Sequence, residues 1–208
     1  GVDGLRAVVE AAREIGAVVA SDECYALLAW DEPWASGGVP SILDPRVTGG
    51  MLDGLLAVHS LSKQSNLAGY RAAFVAGDPA LVGTLLELRK HAGMIVPGPV
   101  QAAMTVALDD DLHVDEQHRR YARRRSALRA ALEAAGYVVD GSPAGLYLWV
   151  TTPGAGQDCW ATVADLADLG ILAAPGAFYG SAGARHVRLA LTASDDDISR
   201  AVARLTGA

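Results

Sequence analysis

The sequence predicts an α/β chain whose first part belongs to a mostly parallel sheet with helices and whose second part is a smaller α+β unit. In residues 1–112, short apolar runs alternate with stretches of helical periodicity, which is the pattern of strands buried in a parallel layer. In residues 113–208, a long arginine-rich helix precedes shorter strands and two further helices. We therefore expect two domains with these boundaries.

The first part opens with a helix over residues 5–15, where apolar side chains recur at helical spacing before Gly16. Three apolar runs then predict buried strands, at residues 17–20, 55–58 and 72–76. Glycines and prolines between the first two strands predict an irregular connection. A helix follows the third strand to about His91, and another begins at residues 97–99.

The second part begins with the long helix, over residues 113–135, which Gly136 ends. Strand patterns follow at residues 137–139, 145–150 and 186–191. A helical pattern at residues 158–169 lies between the last two strands. Ser194 with Asp197 is an N-cap pattern for a last helix.

Charge and composition argue against several classes of partner and site. The chain has 17 basic and 24 acidic residues, a formal net charge of −7, which disfavours nucleic acid and anionic membrane as partners. No apolar run approaches the ~18 residues that a membrane-spanning helix needs. The cysteines, Cys24 and Cys159, suggest no disulfide framework, and we expect a cytoplasmic location. The five histidines show no metal-ligand spacing, so we expect no metal.

Candidate chemistry follows two of the predicted strands. Ser60 and Ser62 are two residues apart, so their hydroxyls would share a side in extended backbone, and Lys63 and Arg71 follow them. Two hydroxyls and a guanidinium beside a lysine indicate a site for a phosphate attached to a carbonyl compound. The alternative is a surface turn with a solvated lysine.

A second candidate lies at the end of the first strand, where Asp22 and Tyr25 occur. Open α/β sheets place ligands at the carboxyl ends of their strands, although an aspartate there can also be a turn cap. Together the two sites predict an aldehyde cofactor with a phosphate and a ring nitrogen that needs an anionic partner. Pyridoxal phosphate fits this description.

Three motifs carry a resemblance to a known family: S-D-E-x-Y at residues 21–25, S-L-S-K-x-x-x-L-A-G-Y-R at 60–71, and R-H-V-R-L-A-L at 185–191. In this order they resemble the class I/II aminotransferases of the fold type I pyridoxal-phosphate enzymes. The second motif is particularly similar to that of bacterial N-succinyldiaminopimelate aminotransferases. The resemblance implies part of the large cofactor-binding domain followed by a small α+β C-terminal domain.

The resemblance also implies roles for individual residues. Lys63 would bind the cofactor covalently and move a proton during the reaction, while Arg188 would bind the substrate carboxylate, unless it is a surface arginine at a strand end. The cofactor-binding residues would be Asp22, Tyr25, Ser60, Ser62, Lys63 and Arg71. The loop at residues 175–180 resembles the family's loop near the substrate, but no catalytic role is assigned to it.

The implied activity is ping-pong transfer of an amino group between glutamate and a 2-oxo acid by a homodimer. The favoured acceptor is N-succinyl-2-amino-6-oxopimelate, from lysine and diaminopimelate biosynthesis. One alternative keeps pyridoxal phosphate but changes the reaction to β-elimination at a C–S bond. Another is the ligand-sensing domain of a transcription regulator built on the same fold.

The sequence departs from the family by what it lacks. The small-residue phosphate loop, the aromatic side chain that stacks on the cofactor and the N-P-x-G stretch of the family's N-terminal half do not occur. We therefore expect residues 1–208 to be the C-terminal part of a longer enzyme, and to be inactive alone.

Overall fold

The computed structural model describes residues 1–154 and 157–207. The chain divides into two compact units, Gly1–Gln117 and His118–Ala208, and each contains its own sheet. Within the described residues, no helix combines the length and apolar character that crossing a membrane requires.

The first unit alternates helices with the strands of a three-stranded sheet. Its strands are β1 (Val19–Asp22), β2 (Leu55–Ser60) and β3 (Ala73–Gly77). Its helices are α1 (Val2–Glu14), the one-turn helices α2 (Trp34–Gly37), α3 (Pro45–Thr48) and α4 (Leu61–Gln64), and the longer α5 (Pro79–His91) and α6 (Gly98–Leu108). Helix α7 (Asp111–Ala134) begins in this unit and continues into the second.

The sheet has the order β1–β2–β3, with β1 and β2 parallel and β3 antiparallel to β2. The predicted α/β class is confirmed, but this part of the sheet is mixed rather than parallel throughout. The physical reason is the connection between β2 and β3. It contains only α4 and a 3₁₀ turn, whereas a parallel return normally needs a full crossover helix.

Two local features anchor β3 and the helix that follows it. A Cβ on Gly77, whose φ is +141°, would lie 2.1 Å from the Leu55 carbonyl oxygen, so only glycine fits there. The Asp78 side chain then caps α5 by accepting from the backbone N–H of Ala80 (2.8 Å), and it also accepts from the N–H of Gly54 (2.8 Å). The cap therefore joins the start of α5 to the start of β2.

The second unit contains an antiparallel sheet of order β4–β5–β7–β6. Its strands are β4 (Val138–Asp140), β5 (Tyr147–Thr151), β6 (Ala174–Pro175) and β7 (His186–Ala190). Besides α7 it has α8 (Cys159–Asp168) and α9 (Asp195–Thr206). The predicted cap of α9 is confirmed, because the Ser194 hydroxyl accepts from the N–H of Asp197 at 3.1 Å.

Alternation along β5 and β7 gives this sheet two different faces. One face is the core, formed by buried Leu148, Val150, Val187 and Leu189. The opposite face carries half-buried aromatic and basic side chains: Tyr147, Trp149, His186 and Arg188. Because successive side chains of a strand point to opposite faces of the sheet, Arg188 lies outside the core, on the face that carries the aromatic rings.

Candidate active site

The two candidate segments of the first unit lie at one edge of its sheet. Asp22 is the last residue of β1 and Ser60 the last residue of β2, and these strands are parallel with Asp22 opposite Val58. Both strands therefore deliver polar residues to the same carboxyl edge, where open α/β sheets bind ligands. Lys63 follows one turn later, in α4.

The two serines meet, although not in the way the sequence suggested. The predicted extended backbone at residues 60–62 is wrong, because Ser62 lies in the helical turn α4 and Ser60 is its N-cap. The Ser60 hydroxyl accepts from the N–H of Ser62 at 3.1 Å, and it also donates to the Ser62 hydroxyl at 2.8 Å. The cap, rather than strand alternation, brings the hydroxyls together.

Arg71 is connected to the serine pair through its neighbour in the chain. The Ser60 hydroxyl lies 3.1 Å from the carbonyl oxygen of Ala72, and Arg71 itself has the left-handed φ of +52° after a 3₁₀ turn. A non-glycine residue in this region is uncommon and often marks a functional turn. Within the described residues, the exposed guanidinium donates to the Ala68 carbonyl (3.1 Å) and not to either serine.

The Lys63 ammonium lies beside an aromatic ring instead of a carboxylate. Its Nζ is 5.7 Å from the centroid of the Tyr25 ring, and both residues are half-buried. In the part of the chain that the structure describes, no acidic side chain forms an ion pair with Lys63. The structure thus brings Lys63 and Tyr25 together, and leaves the amine without a fixed counter-ion.

Hydrogen bonds and a nearby histidine favour the ionised form of Asp22. The Cys24 thiol and the Cys24 N–H (3.1 Å) both donate to its carboxylate, and together with the nearby His59 they lower the pKa of Asp22. Conversely, burial, followed by the hydrogen bond and charge of Asp22, raises the pKa of the Cys24 thiol to about 11. At neutral pH the pair is therefore a carboxylate that accepts from a thiol.

Slow alkylation of Cys24 in the protein without added ligand would check this contact. With a pKa of about 11, the thiolate fraction at pH 8 is about 10⁻³, so iodoacetamide should modify Cys24 roughly 100-fold more slowly than an ordinary cysteine. Asp22→Asn should accelerate the reaction, because it removes the anionic acceptor, while the exposed Asp53→Asn should not. Peptide mass spectrometry measures the rate; rapid alkylation of the unsubstituted protein would refute the contact.

Arg188 lies in the second unit, in the middle of the interior strand β7 rather than at a strand end. Its guanidinium carbon is 4.2 Å from the centroid of the Tyr147 ring and 5.1 Å from that of Tyr179. Two aromatic faces therefore restrict the guanidinium by cation–π contacts, and within the described residues its N–H groups donate no hydrogen bond, so they are available to an anionic ligand.

Sequence reasoning missed both tyrosines. Tyr179 lies in the loop at residues 175–180, which was noted only as a resemblance, and this loop is fixed by close packing at Gly176. A Cβ there would lie 2.2 Å from the Gly183 carbonyl oxygen and 2.9 Å from the Trp149 ring. Trp149 in turn meets Tyr179 edge to face, with centroids 5.8 Å apart. The only sequence signal was the glycine-flanked aromatic pair of that loop.

If Arg188 binds a substrate carboxylate, as the resemblance implies, replacing Tyr179 with leucine should weaken substrate binding by removing one of these two rings. Tyr179 is 52% exposed, so the lost cation–π contact should cost about 0.5–1 kcal/mol and raise KM roughly two- to fivefold, with kcat little changed. Tyr179→Phe keeps the ring and should stay close to the parent. Steady-state kinetics decide this, and equal KM values for the leucine and phenylalanine variants would contradict the role of the ring.

Comparisons with known proteins agree on one family. The family model described as aminotransferase class I and II matches residues 2–205. The 4-dedimethylamino-4-oxo-anhydrotetracycline transaminase OxyQ of Streptomyces rimosus is 58% identical over 205 residues, which cover 99% of this chain and 55% of OxyQ. The LL-diaminopimelate aminotransferase of Dehalococcoides mccartyi is 31% identical over 150 residues, 72% of this chain and 39% of that relative.

Solved structures give the same result. The crystal structure of an aminotransferase from Neisseria meningitidis Z2491 superimposes with a TM-score of 0.85 and 29% sequence identity. The match covers 100% of this chain and 52% of that structure, so the chain spans about half the length of this structure and of OxyQ. The chain belongs to the class I and II aminotransferases, a family whose members depend on pyridoxal phosphate.

Proposed function

We propose that the complete enzyme is a pyridoxal-phosphate-dependent aminotransferase and that Lys63 is the residue that binds its cofactor. One observation carries this proposal. The Lys63 amine lies beside the Tyr25 ring and directly follows Ser62 of the hydrogen-bonded Ser60–Ser62 pair, at the strand edge where anionic Asp22 also lies. The arrangement combines an amine, an anion and hydroxyl donors at the place where this fold class binds ligands.

The donor set fits the chemical groups of pyridoxal phosphate. Ser60, Ser62 and Arg71 supply hydroxyl and guanidinium donors for a phosphate. Asp22, whose pKa is lowered, supplies the anion that a protonated ring nitrogen requires. The Tyr25 hydroxyl would donate to the ring oxygen, and the Lys63 amine would bind the aldehyde.

Pyridoxal phosphate, when bound, supplies an electron sink for the carbanion that forms at the substrate α-carbon. The residues of this chain would then bind and move protons. Lys63 Nζ would move the proton between the substrate α-carbon and C4′ of the cofactor, Asp22 would keep the ring nitrogen protonated, and Arg188 would hold the substrate carboxylate. Ser60, Ser62 and Arg71 would fix the position of the cofactor.

For the substrates, we propose glutamate as donor and N-succinyl-2-amino-6-oxopimelate as acceptor. The sequence of residues 60–71 supports this choice, because it is similar to that of N-succinyldiaminopimelate aminotransferases. Relatives named LL-diaminopimelate aminotransferases also support a substrate of the diaminopimelate class. A second acceptor has a specific observation in its favour. OxyQ, at 58% identity, is named for a 4-oxo-anhydrotetracycline. The aromatic face around Arg188 also suits a planar substrate.

An assay of the full-length reading frame with pyridoxal phosphate tests the proposal. Each oxo compound is offered with glutamate, and formation of 2-oxoglutarate is measured; turnover is expected, with the oxopimelate preferred. Preference for 4-dedimethylamino-4-oxo-anhydrotetracycline would refute the proposed acceptor but would still support amino transfer as the reaction. Cleavage of a cysteine conjugate without amino transfer would favour the C–S lyase. The transcription regulator would be favoured if the protein bound the cofactor without turnover and the same reading frame encoded a DNA-binding module.

We also propose how this chain fits into the complete enzyme. Residues 1–112 would be the C-terminal part of the cofactor-binding domain, and residues 113–208 the interdomain helix and small domain. The proposal of a homodimer is supported by exposed apolar side chains on α5 and α6, among them Leu86, Leu88 and Val106. A cytoplasmic location is proposed from the two cysteines, which are both free thiols.

A further inference from the structure

A nearly buried carboxylate lies directly behind the candidate site. The Glu23 side chain is only 8% exposed, and it accepts hydrogen bonds from the Ile42 N–H (2.7 Å) and the Ser41 hydroxyl (3.1 Å). Its second oxygen, Oε2, lies 3.1 Å from Nε2 of His59. A buried carboxylate is tolerated when donors surround it in this way, so Glu23 is held firmly in place.

The same residue joins the ends of the strands. The Glu23 N–H donates to the Val58 carbonyl at 2.8 Å, which extends the pairing of β1 with β2. His59 lies opposite Phe74 of β3 and stacks on its ring, with centroids 5.2 Å apart and an interplanar angle of 17°. The Glu23–His59 pair thus connects β1 with β2, and through Phe74 with β3.

The position of this pair in the chain suggests what the connection does. Glu23 directly follows Asp22, and His59 directly precedes Ser60. The residues proposed to bind opposite ends of the cofactor, its ring nitrogen and its phosphate, are therefore next to the two members of one pair. A shift of β1 against β2 would separate those groups, and the pair opposes such a shift.

We infer that Glu23 and His59 are positioning residues, which hold Asp22 and the Ser60–Lys63 segment at the spacing that cofactor binding requires. This inference rests on the proposed function, because it assumes that the cofactor binds at this edge. Stability alone is a weak explanation, since a polar contact around a nearly buried carboxylate often stabilises a fold no better than apolar residues of the same size.

A double-mutant cycle in the complete enzyme tests the inference. Glu23→Ala removes the carboxylate, and His59→Phe keeps a ring for stacking on Phe74 but removes the nitrogen that faces Glu23. The control is Glu87→Ala, because Glu87 contacts Lys90 (2.6 Å) and His91 (4.0 Å) on the surface. The readouts are the pyridoxal-phosphate dissociation constant, the absorption spectrum of the bound cofactor, and the melting temperature without cofactor.

Each single variant should weaken cofactor binding roughly tenfold at temperatures where the cofactor-free protein is folded, and should change the absorption spectrum. The double variant should bind the cofactor little more weakly than the single variant with the larger loss, because the effects of substituting two residues that act as a unit do not add. Glu23→Gln, which keeps an oxygen acceptor for the Ile42 N–H, should lie between the parent and Glu23→Ala. The control should match the parent.

Unchanged dissociation constants and spectra in folded variants, or strictly additive effects, would overturn the inference even if melting temperatures fall. If Glu23→Ala does not fold, Glu23→Gln and His59→Phe decide the question by the same criteria. A parent enzyme that binds no pyridoxal phosphate at Lys63 would instead refute the proposed function, so the two failures are distinguishable.

Discussion

Replacing Lys63 with alanine should lower kcat for glutamate-dependent amino transfer by roughly 10³-fold or more, because the variant lacks the amine that we propose moves the proton at the substrate α-carbon. It should also lose the absorption of covalently bound cofactor. Activity and absorption spectra of the purified complete enzyme measure both effects. Lys63 is suited to this role since it lies 5.7 Å from the Tyr25 ring centroid and forms no ion pair within the described residues.

Lys90 provides the matched control, since it is the other lysine of the chain. Its ammonium is half exposed at the end of α5 and pairs with Glu87 at 2.6 Å, which is typical of a solvated surface cation. Lys90→Ala should keep the parent kcat and spectrum. If Lys63→Ala retained parent activity, the proposed mechanism would be wrong.

Arg188→Ala should separate substrate binding from cofactor binding. Loss of a two-pronged pair with the substrate carboxylate should cost roughly 2–5 kcal/mol in kcat/KM for both the amino acid and the oxo acid. The cofactor spectrum should remain that of the parent, because Arg188 is proposed to bind only the substrate. Steady-state kinetics and absorption spectroscopy on the same preparation check the two halves of this expectation.

A surface arginine of the same unit serves as the reference for Arg188. Arg200 is exposed on α9 and pairs with Asp197, so Arg200→Ala should leave kcat/KM unchanged. Arg188→Lys should recover only part of the loss, since an ammonium cannot form the planar two-pronged contact. If Arg188→Ala kept the parent kcat/KM for every substrate, the carboxylate assignment would be refuted.

Features determined by local hydrogen bonds were predictable from the sequence. The N-cap at Ser194 depends on a residue three positions away, so a short motif contains the whole interaction. Apolar periodicity likewise located α1 and β2, because the burial of alternate or helically spaced side chains repeats along the chain. Strand boundaries were less accurate: β1 begins at Val19, two residues later than predicted.

Features that depend on distant residues were not predictable. The continuous apolar run at residues 72–76 is typical of a parallel strand, yet β3 is antiparallel, because the connection from β2 contains no crossover helix. The two tyrosines around Arg188 come from a neighbouring strand and a loop, so no spacing in the sequence indicates their contact. The contact between Glu23 and His59 was missed for the same reason.

Borohydride reduction of the complete enzyme, followed by peptide mapping, tests the central claim most directly. Reduction fixes the cofactor to the amine that carries it, so the modified peptide identifies the residue without relying on activity. The account predicts a pyridoxyl adduct on Lys63, in the peptide that also contains Ser60 and Ser62. An adduct on Lys90 alone, or no adduct on this chain, would contradict it.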